Sequence, residues 1–181
     1  MDIKECIVTR RSIRRFTNKP VSRADLEKMI EMSAYAPSWK NSQTTGYIAI
    51  LNREIIENIA ENAVLNFDFN IKSIKSAPVL VIVTTIEGRS GYEKDGSCST
   101  SKGSHWQSFD AGIASQTFCL AAHALGYGTC IMGIYDEAKV KEIAEIKDGV
   151  AVSALIVLGY PAESCEAPKR KTVEKLLTVM E

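Results

Sequence analysis

The sequence has no net charge, because its 22 Lys and Arg residues balance its 22 Asp and Glu residues. A protein that binds nucleic acid or an anionic membrane through its overall electric field carries an excess of positive charge. We therefore expect neither nucleic acid nor membrane as a partner. A site that binds an anion must be built from a local cluster of basic residues.

The sequence also lacks a run of about 18 apolar residues, the length that a helix needs to span a bilayer. Its first residues, from Met1 to Glu5, have neither the basic region nor the apolar region of a signal peptide. These two absences predict a cytoplasmic protein.

Signatures of metal binding and of nucleophilic catalysis are missing as well. The five cysteines include no C-x-x-C pair, and the chain has only two histidines, so we expect free thiols and no metal site. Cys98 lies in a polar segment, and whether it is reactive stays open. No G-x-G-x-x-G follows a predicted strand, so no Rossmann site for a nicotinamide nucleotide is expected.

The length of 181 residues and the apolar fraction of 45% predict one domain, residues 1–181. At this size, folding buries roughly 70% of the surface that the unfolded chain exposes. Helices are predicted over residues 2–9, from a Ser22–Asp25 capping box to near Pro37, around residues 55–60, over residues 106–125 and after Asp136. Strands are predicted over residues 46–51, 79–85 and 150–158 and near residues 129–132, and a last amphipathic stretch runs to Met180.

Two of these elements indicate how they are buried. The unbroken β-branched run in residues 79–85 is typical of a strand that is covered on both faces. The helix over residues 106–125 consists mostly of small and apolar residues, which predicts burial on nearly all sides. A domain of this size rarely surrounds such a helix alone, so we expect a second subunit to cover it in a homodimer.

The segment between the second strand and the long helix, residues 87–104, is rich in Gly, Ser, Lys and Thr. It has little periodicity and predicts a long exposed loop or a short mobile helix. Loops of this length in compact domains are more often functional than not.

A cluster of arginines is the first candidate for a binding site. Arg10, Arg11, Arg14 and Arg15 lie within six residues, with Ser12 among them. Guanidinium groups and a hydroxyl can donate charge-assisted hydrogen bonds to a phosphate. Arginines that follow a short helix also interact with its dipole and are often solvated surface residues, so the cluster alone leaves both interpretations open.

Four separated segments share a larger pattern. Residues 10–16 read R-R-S-I-R-R-F, and residues 36–43 read A-P-S-W-K-N-S-Q. Residues 110–134 contain D-A-G-I-A, A-L-G-Y-G-T and M-G-I, and the tail carries Arg170 and Lys171. In this order the segments resemble the FMN-binding nitroreductase family, and the resemblance covers nearly the whole chain. It implies a dimeric α+β protein of three α/β/α layers, with a mixed, mostly antiparallel central sheet flanked by helices.

The resemblance also implies how FMN would be held. Arg10, Ser12 and Arg14 would bind its phosphate, ribityl chain and pyrimidine edge, with Arg11 close by. Arg170 would be a second phosphate ligand. Pro168 stands where some relatives have a lysine, so Lys169 and Lys171 stay open as alternatives to Arg170.

The flavin ring would be covered by two further segments. A loop from the other subunit would face the isoalloxazine ring with Pro37, Ser38, Trp39, Asn41 and Gln43. The backbone of Ile131, Met132 and Gly133 would approach N5 and O4, where a glycine allows close contact and an N–H can stabilise negative charge. Taken alone, the loop is equally consistent with a turn that ends a helix, and Trp39 with a core residue.

The activity implied by the resemblance is hydride transfer from NADH or NADPH to flavin N5, followed by reduction of a nitroaromatic, a quinone or a similar acceptor in a ping-pong mechanism. The cofactor supplies this chemistry, so no catalytic side chain is expected. A flavin-fragmenting or dehalogenating enzyme on the same scaffold and a non-catalytic flavin-binding protein are the alternatives. Thr44–Thr45–Gly46 and residues 87–104 depart from the family pattern where the acceptor is selected.

Two histidines and one acid need separate interpretation. His123 within the long helix is expected to be a hydrogen-bonded core residue, and His105 stays open as a site residue. Asp110 is expected to support structure near the start of that helix.

Overall fold

A four-stranded antiparallel sheet of order β1-β2-β4-β3 forms the centre of the computed structural model, which describes residues 1–181. The strands are β1 (Thr45–Ile50), β2 (Val79–Ile86), β3 (Gly128–Met132) and β4 (Val150–Gly159). The helices are α1 (Ile3–Thr9), α2 (Arg23–Ser33), α3 (Arg53–Asn62), α4 (Asp68–Ser76), α5 (His105–Ala124) and α6 (Glu137–Ile143). Short 3₁₀ turns occur at Trp39–Asn41 and Val173–Lys175.

The two central strands are buried on both faces, as predicted for β2. Leu80 and Ile82 point to the core that contains α3, α4 and α6 residues, whereas Val81 and Val83 point to the core that contains α2 and α5 residues. Successive side chains of a strand alternate between the faces of a sheet, so an unbroken apolar run requires cover on both sides. The helices supply it and complete the predicted α/β/α layers.

Local capping fixes where the helices begin. The N–H of Asp25 donates to Ser22 Oγ at 3.1 Å, and the N–H of Lys139 donates to Asp136 Oδ1 at 3.2 Å. Both caps were predicted, because an oxygen-bearing side chain at this position satisfies a backbone donor that the first turn leaves unpaired. The helix from Ser22 ends at Ser33 and is followed by a turn before Pro37, earlier than predicted.

Two elements differ from the prediction. Helix α4 was missed, and the tail forms only the turn Val173–Lys175 where a longer amphipathic element was expected. The chain alone leaves one face of α5 uncovered, as expected for a helix that a second subunit is predicted to cover. His105, Phe109, Gly112 and Gln116 form an exposed row at helical spacing, and Phe109 is 58% exposed. No other element of the chain packs over this face of α5.

No helix in the structure combines the length and the apolarity that crossing a membrane requires.

Candidate functional site

The arginine segment, residues 10–14, lies along the open edge of β3. Ser12 pairs with Thr129 in a parallel bridge, and the N–H of Ile13 donates to the carbonyl of Thr129 at 2.9 Å. A Cβ on Gly128 would lie 2.8 Å from Ile13 Cβ, so this close approach of backbone to side chain requires a glycine. The sheet therefore fixes the direction of the segment.

The arginines of this segment are not neutralised by acids. Arg15 pairs with Glu163 at 3.8 Å, but Arg10, Arg11 and Arg14 form no ion pair. Arg10 also makes no side-chain hydrogen bond. In a protein with a balanced charge, these guanidinium groups form a local positive field that favours an anion.

Two of the arginines bond to nearby backbone. Arg11 Nη1 donates to the carbonyls of Val8 and Arg10, both at 2.8 Å, and its buried Nε has no partner. Arg11 thus caps the C-terminal end of α1. Arg14 Nη1 makes a longer bond of 3.3 Å to the carbonyl of Ser12.

A cleft of about 480 Å³ opens where the arginine segment ends, and we call it the flavin cleft after the ligand that the sequence resemblance implies for it. Its lining brings Arg14 together with Ile131, Met132 and Gly133, as the sequence predicted for one end of the site. A Cβ on Gly133 would meet nothing within 4 Å, so space for a ligand is open beside this backbone.

The opposite wall of this cleft was missed by the sequence reasoning. It consists of Phe67, Phe69 and Asn70 at the start of α4. Asn70 is buried and donates from Nδ2 to the carbonyl of Ile134 at 3.1 Å, which ties α4 to the segment after β3. The available signal was the spacing of Asn70, Ile71 and Ile74, whose buried or partly buried side chains lie on one face of α4.

The second predicted segment, the 37–43 loop, adopts an unusual backbone. Lys40, Asn41 and Gln43 have φ values of 44°, 54° and 47°, in the left-handed region that non-glycine residues rarely adopt. Leu65 and Asn66, just before the wall of the flavin cleft, have the same feature. Such conformations cost about 1–3 kcal/mol each and cluster at functional sites. Five of the six cases in the chain therefore lie in or beside the two parts of the candidate site.

Asp110 holds the 37–43 loop in place. This buried carboxylate accepts a hydrogen bond from the N–H of Trp39 at 3.0 Å and another from Ser90 Oγ at 2.6 Å. The Trp39 ring packs on the Trp106 ring with 4.6 Å between centroids. These contacts give Asp110 the structural role that was predicted, and they join the 37–43 loop to residues 87–104.

The two halves of the site lie at opposite ends of α5. The 37–43 loop is anchored to Asp110 in the first third of the helix, whereas His123 in the last turn bonds to Thr9, next to the arginine segment. At 1.5 Å per residue, Asp110 and His123 are about 20 Å apart along the axis. No residue of the 37–43 loop lines the flavin cleft of its own chain.

The arginine segment lies close enough to His123 to affect the pKa of its ring. It shares a hydrogen bond of 2.8 Å with Thr9 Oγ1, and its partial burial, together with the positive charges of Arg10 and Arg11, holds its pKa below the usual value. Burial removes water that would stabilise the protonated ring, and the two guanidinium groups repel the added proton. The prediction of a hydrogen-bonded residue is met, although the ring is only partly buried.

The other candidates lie apart from the flavin cleft. Arg170 is exposed in the tail and makes no hydrogen bond or ion pair, and His105 is exposed at the start of α5. All five cysteines are free, and Cys98 is exposed. Burial raises the pKa of the Cys119 and Cys130 thiols, which keeps both protonated and poorly reactive.

Known proteins share this architecture. A protein of Methanothermobacter thermautotrophicus, provisionally named an NADH dehydrogenase/NAD(P)H nitroreductase, is 33% identical in an alignment of 171 residues that covers 91% of this chain and 80% of that protein. A nitroreductase family protein of Clostridium novyi superposes with a TM-score of 0.79 at 31% identity, over 91% of this chain and 87% of the other. A BluB-like flavoprotein of Clostridium difficile superposes with a TM-score of 0.83 at 26% identity, over 100% of both chains.

The profile of the family described as the nitroreductase family matches residues 7–160, which include the arginine segment, the 37–43 loop and both walls of the flavin cleft. With this match and the 33% identity to the archaeal relative, the chain belongs to the nitroreductase family.

Proposed function

We propose that the protein is a homodimeric FMN-dependent NAD(P)H oxidoreductase in which residues 1–181 form a single domain and two chains share each flavin site. The observation that carries the proposal is the arginine segment, which the edge of β3 fixes with Arg14 on the flavin cleft and with no acid paired to Arg10, Arg11 or Arg14. The names of the archaeal relative and of the clostridial flavoprotein are consistent with this function.

The residues present fit FMN at both ends. Arg10 and Arg14 are four residue steps apart, about 13 Å in extended backbone, so they can hold opposite ends of one ligand. Arg10, with no partner of its own, would bind the phosphate, and Ser12 would face the ribityl chain. Arg14 and Asn70 would meet the pyrimidine edge, and the Met132–Gly133 backbone would lie along N5 and O4.

A second copy of the chain would complete the site around the flavin ring. A two-fold axis through the exposed face of α5 would place the first turns of one α5 beside the last turns of the other. The 37–43 loop of each chain would then lie over the flavin cleft of its partner. Trp39, Asn41 and Gln43, with Pro37 and Ser38, would cover the ring and exclude water there.

The exposed apolar surface supports a dimer. Besides Phe109 on α5, the tail exposes five apolar side chains, and large exposed apolar surfaces in monomers mark interaction sites. They are Val173, Leu176, Leu177, Val179 and Met180. The tail leaves the body beside the arginine segment, where the N–H of Ala162 donates to the carbonyl of Arg15 at 3.0 Å. Arg170, or Lys169 or Lys171, would reach a phosphate from there.

Bound FMN would accept a hydride from NADH or NADPH at N5 and return two electrons to a nitroaromatic, a quinone or a similar acceptor. The protein would bind and orient the reactants without a catalytic side chain of its own. Because donor and acceptor would use the same face of the ring in turn, we expect ping-pong kinetics.

The visible spectrum of the purified protein, followed by anaerobic titration with NADH and NADPH, tests this function. We expect a flavin spectrum that bleaches on addition of the donor and returns when a quinone is added. A protein that cannot be reconstituted with FMN would refute the proposal. A bound flavin that neither donor bleaches would instead favour a non-catalytic binding protein, and oxygen-dependent loss of the flavin would favour a flavin-fragmenting enzyme.

A further inference from the structure

A second cleft, of about 560 Å³, lies where residues 87–104 pack against the 37–43 loop, and we call it the outer cleft. Three basic side chains line it, Lys40, Arg89 and Lys94, together with one acid, Glu93. The formal charge of this lining is positive although the whole chain is neutral. A concave surface with an excess of one charge concentrates ligands of the opposite charge.

Two of the three cations in the outer cleft are free. Glu93 accepts hydrogen bonds from Ser99 Oγ and, at 2.9 Å, from Lys40 Nζ, and both lower the pKa of its carboxyl, so Lys40 is paired at neutral pH. Arg89 and Lys94 make no side-chain hydrogen bond and no ion pair. Their charges remain available to an anion in the cleft.

The outer cleft is held open by fixed contacts. Ser90 Oγ donates to the buried carboxylate of Asp110 at 2.6 Å, and the N–H of Gly88 donates to Gln107 Oε1 at 2.7 Å. Both contacts fasten the start of the 87–104 loop to α5. Ordering a loose segment when a ligand binds weakens the affinity. A ligand in the outer cleft avoids this cost, because the start of the loop is already fixed.

The outer cleft shares a wall with the surface proposed to cover the flavin ring. Trp39 and Ser42 line it, and the buried Trp39 Nε1 and Ser42 Oγ have no hydrogen-bond partner in the chain. Tyr92 adds a second aromatic side chain to the lining. The cleft thus combines free cations with an aromatic side chain beside the place where a nicotinamide would stack.

We propose that the outer cleft binds the pyrophosphate–adenosine part of the nicotinamide donor, with Arg89 and Lys94 as ligands of its phosphates. The inference rests on the proposed function, because it assumes that the nicotinamide end lies on the flavin ring. A dinucleotide whose nicotinamide is stacked on the flavin must place its dianionic pyrophosphate and its purine nearby. The charge of the outer cleft matches the first, and Tyr92 offers an aromatic face to the second.

The test compares donors with and without the pyrophosphate. Flavin reduction in the FMN-loaded protein is followed by anaerobic stopped flow, with NADH, NADPH and 1-benzyl-1,4-dihydronicotinamide, which has no phosphate. Arg89→Gln and Lys94→Gln should each lower the ratio of reduction rate to donor Kd about tenfold for the two dinucleotides, the scale of one charged hydrogen bond. Neither should change it for the benzyl donor. Lys139→Gln on α6 is the matched control and should leave all three donors unaffected.

The outcomes separate this inference from the function on which it rests. If the wild-type flavin is reduced by all three donors and the variants do not differ from it, the outer cleft does not bind the phosphates. Equal losses with the dinucleotides and the benzyl donor would also overturn the assignment, because they would show a general effect on the ring site. If the wild-type flavin is reduced by no donor, the proposed oxidoreductase function fails and this inference fails with it.

Discussion

Replacing Arg10 by Ala should weaken the binding of FMN but leave the binding of riboflavin, which lacks the phosphate, nearly unchanged. A hydrogen bond to a charged group contributes about 1.5–3 kcal/mol. Arg10 is half-buried and its side chain makes no hydrogen bond or ion pair within the chain, so no internal bond offsets its contact with the phosphate, although solvent weakens that contact. We therefore expect the lower half of that range, a rise in the Kd of FMN of about 10- to 40-fold.

The assay is titration of apoprotein with each flavin, followed by flavin fluorescence. The Kd of riboflavin should be nearly unchanged in Arg10→Ala, whereas Arg14→Ala should weaken both flavins by the same factor because it would contact the ring. Arg15→Ala is the matched control, since this exposed arginine already pairs with Glu163 and should affect neither flavin. Equal effects of Arg10→Ala on FMN and riboflavin would refute the placement of the phosphate.

Three further predictions concern the elements around the site. Gly128→Ala should lower the free energy of unfolding by about 1–3 kcal/mol through the clash with Ile13, and a smaller cost in an Ile13→Gly background, which removes the clashing Cβ, measured by urea unfolding, would identify that clash. Arg10→Gln should raise the pKa of His123, measured by NMR titration, because one of the repelling charges is removed; an unchanged pKa would contradict the proximity of the two groups. Phe109→Glu should convert a dimer into a monomer in sedimentation and abolish flavin reduction by NADH; a dimeric variant would remove α5 from the interface.

The fold could be predicted where the signal is local or strictly periodic. The Ser22 and Asp136 caps depend only on residues three positions away. The β-branched run of β2 is enough to predict that the strand is buried on both faces. Helix α4 was missed because its N-cap is Phe67, which makes no side-chain capping bond and so gives no start signal. The apolar composition of α5 predicted that one chain alone would not cover it, but it did not show which face stays exposed.

The candidate site could be predicted in parts but not in its geometry. The sequence predicted the arginine segment and the Met132–Gly133 backbone as parts of a binding site. The structure places Arg14 and that backbone on one cleft. Asn70 could not be found without α4. The separation of the 37–43 loop from this cleft follows from contacts distant in sequence, such as that of Trp39 with Asp110, which no local pattern reveals.

Complementation between two inactive variants tests most directly whether two chains share each flavin site. One chain carries Arg10→Ala and Arg14→Ala, the other Asn41→Ala and Gln43→Ala, and the two are unfolded together, refolded with FMN and assayed for NADH-driven quinone reduction. If sites are shared, each mixed dimer has one intact site, and the mixture should recover about a quarter of the wild-type activity although each variant alone has almost none. No recovery in a mixture shown to contain mixed dimers would mean that each chain builds its site alone, which would contradict the account.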